Sequence, residues 1–124
     1  MAKKNKYQFW QDKRKRTKYH IMQKNVANLP RLVVYRSNSN IYAQLIDDSK
    51  KTTILSASSV DKNLKKSIEK VENKIEMSKI VGESLAQKIK DAKIDRIIID
   101  RNGYKYHGRV KALADAIRSS EITI

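Results

Sequence analysis

The stretch of sequence from Arg96 to Val110 reads Arg-Ile-Ile-Ile-Asp-Arg-Asn-Gly-Tyr-Lys-Tyr-His-Gly-Arg-Val. Its first four residues favour a buried β-strand, and the apolar residues Val110, Leu113 and Ile117 have helical spacing. The stretch therefore predicts a strand, a loop and a helix in succession. Because loops held by a rigid scaffold often carry function, residues 100–109 are the first candidate site.

This loop combines cations, aromatic rings and glycines. They are Arg101, Gly103, Tyr104, Lys105, Tyr106, His107, Gly108 and Arg109. Cations neutralise phosphate, aromatic rings stack on bases, and glycine lets a backbone approach closely. The composition predicts a phosphate-rich, base-bearing partner. The alternative is an ordinary turn whose tyrosines cap the core.

The rest of the chain supplies a sheet and helices around this loop. Strands are predicted at residues 31–36, 41–46 and 52–57, joined by short polar turns. Helical spacing covers residues 60–75, with an interruption expected near Asn73, and then residues 77–89 and 109–119. Residues 96–99, with three consecutive isoleucines, are expected to form a central strand. Residues 121–124 are a candidate for a short edge segment.

The element order predicts the topology. A strand reached through a helical crossover is usually parallel to a neighbour, by a right-handed connection. We therefore predict an α+β fold with a mixed β-sheet. In it, a three-stranded antiparallel meander is extended by a parallel fourth strand, in the order 3-2-1-4, with helices packed on the sheet. Ribonuclease-H-like proteins share this topology.

The charge is large and uneven. The 124 residues contain 28 Lys and Arg against 13 Asp and Glu, a formal net charge of +15. Residues 1–30 hold nine of these cations and one acid. Such an imbalance favours a polyanionic partner. We predict a basic N-terminal RNA-binding arm, residues 1–29, and a folded domain, residues 30–124.

The arm also carries aromatic residues, including the adjacent Phe9 and Trp10. We expect residues 11–25 to be helical when bound and frayed when free, because short isolated helices are marginal in water. The alternative is that Phe9 and Trp10 anchor the arm to the domain. No apolar run is long enough to span a bilayer, and no apolar segment follows the basic start, so neither a membrane nor export is expected.

Catalysis is not expected. A ribonuclease-H-like nuclease needs clustered carboxylates for two metal ions, and the first strand has none. Asp100 is instead expected to accept hydrogen bonds from loop amides, or to pair with Arg101 or Arg109. The chain has no cysteine, and its two histidines lack the spacing of metal ligands. We expect no cofactor, no metal and no small-molecule substrate.

Parallel pairing of the first and fourth strands would bring two loops to one edge of the sheet. The resulting patch would contain Arg36, Asn38, Asn40, Arg101, Tyr104, Tyr106, His107 and Arg109. The alternative is a set of solvated loop residues without a partner. RNA is favoured over DNA, because no helix-turn-helix, zinc finger or basic zipper is present, and RNA is recognised through shape, phosphates and unstacked bases.

Several motifs are specific enough to suggest a family. They are Pro30-Arg31-Leu32, Tyr35-Arg36-Ser37-Asn38, Ile41-Tyr42-Ala43-Gln44, Asp100-Arg101-Asn102-Gly103-Tyr104 and Tyr106-His107-Gly108-Arg109-Val110. The chain resembles bacterial large-subunit ribosomal protein eighteen over nearly all of residues 29–118. Two features depart from that pattern: no glycine precedes the first strand, and Ser119-Ser120-Glu121 stands where a glycine usually follows the last helix.

The resemblance implies a non-enzymatic protein of the ribosome in the cytoplasm. It would bind 5S rRNA and help to attach it to 23S rRNA and neighbouring proteins of the central protuberance. The implied contacts are Lys3, Lys4, Lys6, Lys13, Arg14, Lys15, Arg16, Lys18 and Lys24 in the arm, and Arg36, Ser37, Asn38, Tyr104, Tyr106, His107, Gly108 and Arg109 in the loops. Arg31, Asn40, Tyr42 and Arg101 complete the candidate set. The alternatives are a stand-alone RNA-binding protein and a ribonuclease-H-like metal-dependent nuclease.

Overall fold

The computed structural model describes residues 3–25 and 27–124, so positions 1, 2 and 26 of the predicted arm lie outside the described part. The elements are α1 (Lys6–Lys24), β1 (Arg31–Arg36), β2 (Ile41–Asp47), β3 (Thr52–Ser58), a 3-10 turn (Lys62–Leu64), α2 (Lys65–Glu69), α3 (Lys74–Asp91), β4 (Ile98–Asp100) and α4 (Arg109–Arg118). The predicted α+β class is confirmed.

The strands form one mixed sheet in the order β3-β2-β1-β4. Leu32 of β1 lies opposite Leu45 in antiparallel β2 and opposite Ile99 in parallel β4. The predicted meander with a parallel fourth strand is therefore confirmed. The expectation of a central fourth strand is wrong, because β4 is the last strand of the sheet.

The C-terminal segment explains why Ile97, just before β4, is buried although it lies at an edge of the sheet. The backbone N–H of Ile97 donates to the carbonyl oxygen of Thr123 at 2.9 Å, and Arg96 and Thr123 form an isolated parallel bridge. Ile97 and Ile122 are buried there. The last residues therefore cover the start of this edge, and β4 begins at Ile98.

The core lies on one face of the sheet. Alternate residues of the strands, such as Leu32 and Leu45, are fully buried, as expected for side chains that alternate between two faces. They pack against α3 and α4. These two helices approach closely at Gly82, where an added Cβ would lie 2.6 Å from the carbonyl oxygen of Leu113. A larger residue at Gly82 would force α3 and α4 apart.

The predicted interruption near Asn73 is confirmed. The Asn73 side chain accepts a hydrogen bond from the N–H of Glu76 at 2.7 Å and caps the N-terminus of α3. Asparagine is favoured at this position because its side chain satisfies a free N–H of the first turn. The preceding residues form only the short turn and α2.

Within the arm, α1 is one continuous helix on the opposite face of the sheet from the core. It begins at Lys6 rather than near residue 11, because Asn5 and Gln8 form a reciprocal capping box. Trp10 packs against the domain, whereas the side chain of Phe9 is 56% exposed. Of the pair proposed as an anchor, only Trp10 acts as one.

Candidate nucleic-acid interface

Two loops meet at the end of the sheet where β1 and β4 finish. Arg109 donates from Nη1 to the carbonyl oxygen of Ser37 at 2.8 Å. The Tyr104 hydroxyl lies 3.4 Å from the backbone nitrogen and oxygen of Arg36, and the Arg36 guanidinium stacks 4.8 Å from the Tyr104 ring centroid. The parallel pairing thus brings the loop after β1 into contact with the loop after β4.

A basic groove opens beside this contact. Its volume is about 580 Å³, and its lining includes Arg36, Lys105, His107, Gly108 and Arg109 together with residues 72–75. Burial, and then the positive charge of Arg36, lower the pKa of the Arg109 guanidinium below its ordinary value. Two guanidinium groups held close together are unfavourable in the free protein. A phosphate between them would relieve that repulsion.

Both loop tyrosines also support the domain. Tyr104 and Tyr106 are partly buried against the core. Tyr106 accepts a hydrogen bond from Arg118, whose guanidinium lies 5.5 Å from the ring centroid. Burial raises the pKa of the Tyr104 hydroxyl above its ordinary value. The rings therefore cap the core, as the alternative considered from the sequence held, and part of each remains accessible.

The turn after β1 presents fewer free groups than the sequence suggested. Asn38 is exposed, but the Asn40 side chain accepts a hydrogen bond from Ser59 at 2.8 Å. Ser37 and Asn40 close the turn through a backbone hydrogen bond of 2.9 Å. The side chain of Asn38 is therefore more accessible to a partner than that of Asn40.

Arg31 differs from the other candidate contacts, because its guanidinium is buried in an ion-pair network. It donates from Nη1 to Asp100 at 2.7 Å and from Nε to Asp48 at 3.0 Å, and its side chain is only 7% exposed. Burial alone would lower the pKa of Arg31, but the bonds to Asp48 and Asp100 outweigh it and raise the pKa. Arg31 therefore supports the loop from below, with its guanidinium largely withdrawn from solvent.

The predicted role of Asp100 is confirmed in part. Asp100 accepts a hydrogen bond from the backbone N–H of Asn102 at 2.8 Å, as expected for the start of the loop. Its ion-pair partner is Arg31, so the expected pairing with Arg101 or Arg109 is wrong. Since Asp100 and Asp48 both bind Arg31, these carboxylates serve the fold.

The arm helix docks on the loop through Trp10 and Arg14. The Trp10 ring lies 5.6 Å from that of Tyr104 and 6.5 Å from that of Tyr35, centroid to centroid. Arg14 donates from Nε to the Asn102 side chain at 2.7 Å. Gly103 has φ +83°, and an added Cβ would lie 3.2 Å from Trp10. Glycine is required here for both the backbone conformation and the close approach.

An aromatic row crosses the outer face of the sheet from this contact. The Tyr42 ring lies 5.9 Å from that of Tyr35, which in turn neighbours Trp10. Tyr42 was a candidate from the sequence. Tyr35 and Trp10 were not, although the alternation of residues along β1 places Tyr35 on the outer face.

The cations of the arm surround this docking point. Lys4 pairs with Asp12 at 2.5 Å, and the hydrogen bond from Lys4 is the main reason that the pKa of Asp12 lies below its ordinary value. Arg14, Lys15 and Lys18 line a crevice of about 380 Å³ against the sheet. Lys13 and Arg16 face the loop after β4 instead. The helix therefore presents positive charge on both sides of its contact with the domain.

Residues 3–25 and 27–124 contain neither a cluster suited to a metal ion nor a helix suited to a membrane. Within that part of the chain, no group of three or more His, Asp or Glu side chains is placed to hold a metal ion. None of the described helices is long and apolar enough to cross a membrane.

Comparison with known proteins identifies relatives over most of the chain. Residues 3–124 match the family described as "Ribosomal L18 of archaea, bacteria, mitoch. and chloroplast". Large ribosomal subunit protein uL18 of Prochlorococcus marinus (strain AS9601) is 56% identical over 94 residues, which cover 76% of this chain and 77% of the relative. The uL18 protein of Staphylococcus haemolyticus is 48% identical over 117 residues, which cover 94% and 92%.

Proposed function

The chain belongs to the L18 family of large-subunit ribosomal proteins, and we propose that it binds 5S rRNA and helps to attach it to 23S rRNA in the central protuberance. Proteins of this family are structural constituents of the ribosome and not enzymes. On this proposal the protein acts in the bacterial cytoplasm, beside other proteins of the large subunit.

The observation that carries the proposal is the meeting of the two loops beside the docked arm. Arg36 and Arg109 line the same groove, in which Lys74 and Lys105 outweigh the one acid, Glu72, and the pKa of Arg109 is lowered by burial and by Arg36. Each phosphate that such cations neutralise releases condensed counterions, which favours binding. A folded RNA offers many phosphates to a cationic surface of this shape.

The proposed contacts are the exposed or half-buried members of the candidate set. They are Lys3, Lys4, Lys6, Lys13, Arg14, Lys15, Arg16, Lys18 and Lys24 on the arm, with Arg36, Ser37, Asn38, Asn40, Tyr42, Arg101, Tyr104, Tyr106, His107, Gly108 and Arg109 on the domain. Arg31 is left out because its guanidinium is buried and is already bound by Asp48 and Asp100.

The second candidate is a stand-alone RNA-binding protein, which would show no preference for 5S rRNA over another folded RNA. We propose a competition experiment in which labelled 5S rRNA is displaced by unlabelled 5S rRNA or by an unrelated folded RNA of equal length, at physiological ionic strength. Displacement by 5S rRNA at a much lower concentration is expected. Equal displacement by both RNAs would contradict the proposed function and favour a general RNA-binding protein.

The structure does not support the alternative of a metal-dependent nuclease. Two-metal hydrolysis needs carboxylates free to bind the ions, whereas Asp100 and Asp48 share the guanidinium of Arg31. Incubation of 5S rRNA with the protein and Mg²⁺ should leave the RNA intact. Cleavage that Asp100→Asn abolishes would contradict the non-enzymatic role.

A further inference from the structure

A second groove lies between the arm helix and the loop after β4. Its volume is about 340 Å³. One wall is formed by Lys13, Arg16 and His20 of α1, and the other by Arg101 and Lys105 of the loop. We call these five residues and the space between them the arm–loop groove.

The helical wall is regular. Lys13, Arg16 and His20 are separated by three and four residues, so they lie on one face of α1. Trp10 and Arg14 lie on the adjacent side of the helix and hold it against Gly103 and Asn102. The docking contact thus turns the face with Lys13 and Arg16 towards the loop.

The charge in the groove has one sign. Lys13, Arg16, Arg101 and Lys105 are cations, and no Asp or Glu is among the lining residues. Bringing four cations together from two elements raises the energy of the free protein through repulsion. An anion in the groove removes that repulsion and gains attraction from both walls at once.

The groove exists before any partner binds. The helix is fixed by the stacking of Trp10 on Tyr104 and by the hydrogen bond from Arg14 to Asn102. A cation that is already in place loses less conformational freedom on binding than one on a disordered arm. The arm therefore contributes a positioned wall of cations.

We propose that the arm–loop groove is one binding site for the phosphodiester backbone of RNA, with cations of the helix and the loop on opposite sides of the same phosphates. This rests on the proposed function in so far as the phosphates belong to rRNA, and it adds that arm and loop share them. Such a site contacts phosphates and does not distinguish one base sequence from another.

The first test is a double-mutant cycle on the two walls. The helix wall is changed by Lys13→Gln/Arg16→Gln, the loop wall by Arg101→Gln/Lys105→Gln, and a third variant combines all four changes. The matched control is Lys79→Gln/Lys90→Gln, which removes two exposed cations from α3 on the other side of the sheet. Affinity for 5S rRNA is measured between about 50 and 200 mM salt, where phosphate contacts dominate the salt dependence.

Each wall variant should weaken binding and reduce the slope of log affinity against log salt by roughly 0.7–0.9 for each phosphate lost. The combined variant should lose less than the product of the two separate fold-changes, because one wall alone no longer holds the shared phosphates. The control should lose much less than either wall variant. A combined loss equal to that product would show separate phosphates and overturn the proposal.

The second test does not depend on 5S rRNA. Inorganic pyrophosphate is titrated into the full chain while NMR follows the Gly103 amide and the Arg16 Nε–H. Both signals should shift with one saturation curve, and Lys13→Gln/Arg16→Gln should remove the shift at Gly103. If both signals shift as expected but the protein shows no preference for 5S rRNA, the groove is supported and the proposed function is contradicted. Independent curves, or a Gly103 shift that the helix-wall variant retains, would overturn the groove.

Discussion

The indole ring of Trp10 lies 5.6 Å from the phenol ring of Tyr104, which joins the arm helix to the loop after β4. The Trp10 Nε1–H is buried without a hydrogen-bond acceptor in the described part of the chain. The contact is therefore one of stacking and packing, completed by the guanidinium of Arg14 at 4.6 Å from the indole centroid. The position of the arm's cations depends on this small cluster.

Replacing Trp10 should release the arm. Trp10→Ala removes the stack on Tyr104 and is expected to lower the free energy of unfolding by about 1–3 kcal/mol, less than for a fully buried aromatic residue. The freed helix should fray, because most helical stability comes from packing. Circular dichroism at 222 nm and the rate of trypsin cleavage in the arm measure these effects.

Phe9 provides the matched control for Trp10. Its side chain is 56% exposed, so Phe9→Ala should change the free energy of unfolding by no more than about 0.5 kcal/mol. It should also leave the rate of arm cleavage unchanged. If Phe9→Ala and Trp10→Ala release the arm equally, Trp10 is not the specific anchor.

The two loop glycines should differ in their effect on the arm. Gly103 has φ +83°, and an added Cβ would press on Trp10 and Arg14 at 3.2 Å, so Gly103→Ala should strain the loop and loosen the arm. Gly108 has φ +57° with nothing within 4 Å, so Gly108→Ala should cost only backbone strain, about 1–3 kcal/mol. Trypsin should cleave the arm faster in Gly103→Ala alone. Faster cleavage in both variants would contradict this separation.

The sheet could be predicted from sequence because its causes are local. Alternating residues identify strands, short polar turns join them, and a helical crossover makes β4 parallel to β1. The same parallel pairing allowed the meeting of the two loops to be foreseen. An interruption near Asn73 was also expected, and in the structure Asn73 caps α3.

The sequence offered the docking of the arm through Phe9 and Trp10 only as an alternative, and it did not predict the burial of Arg31. Trp10 contacts Gly103, and Arg31 binds Asp48 and Asp100, across long separations in sequence. An arginine at the start of a strand looks the same in sequence whether it faces solvent or a buried carboxylate. Only the tertiary arrangement distinguishes the two cases.

The ion pair beneath the loop should be essential for stability. Asp100→Ala leaves the buried Arg31 with one carboxylate and removes the acceptor for the Asn102 amide. Breaking a buried pair in this way is expected to cost about 3–5 kcal/mol. Urea unfolding measures the loss. Asp48→Ala should cost less, because Asp48 is more exposed and Arg31 keeps Asp100; an equal or larger loss in Asp48→Ala would contradict this ranking.

Tyr104 should make the fold sensitive to alkaline pH. Burial raises the pKa of its hydroxyl above 10.0, so the unfolded chain loses this proton before the folded protein does. The free energy of unfolding should therefore fall as pH rises above about 10, and it should fall less in Tyr104→Phe. Urea unfolding at about pH 9 and about pH 11 measures the difference. Tyr19→Phe, on the exposed arm, should keep the wild-type fall. Equal falls in Tyr104→Phe and the wild type would show that this hydroxyl remains solvated.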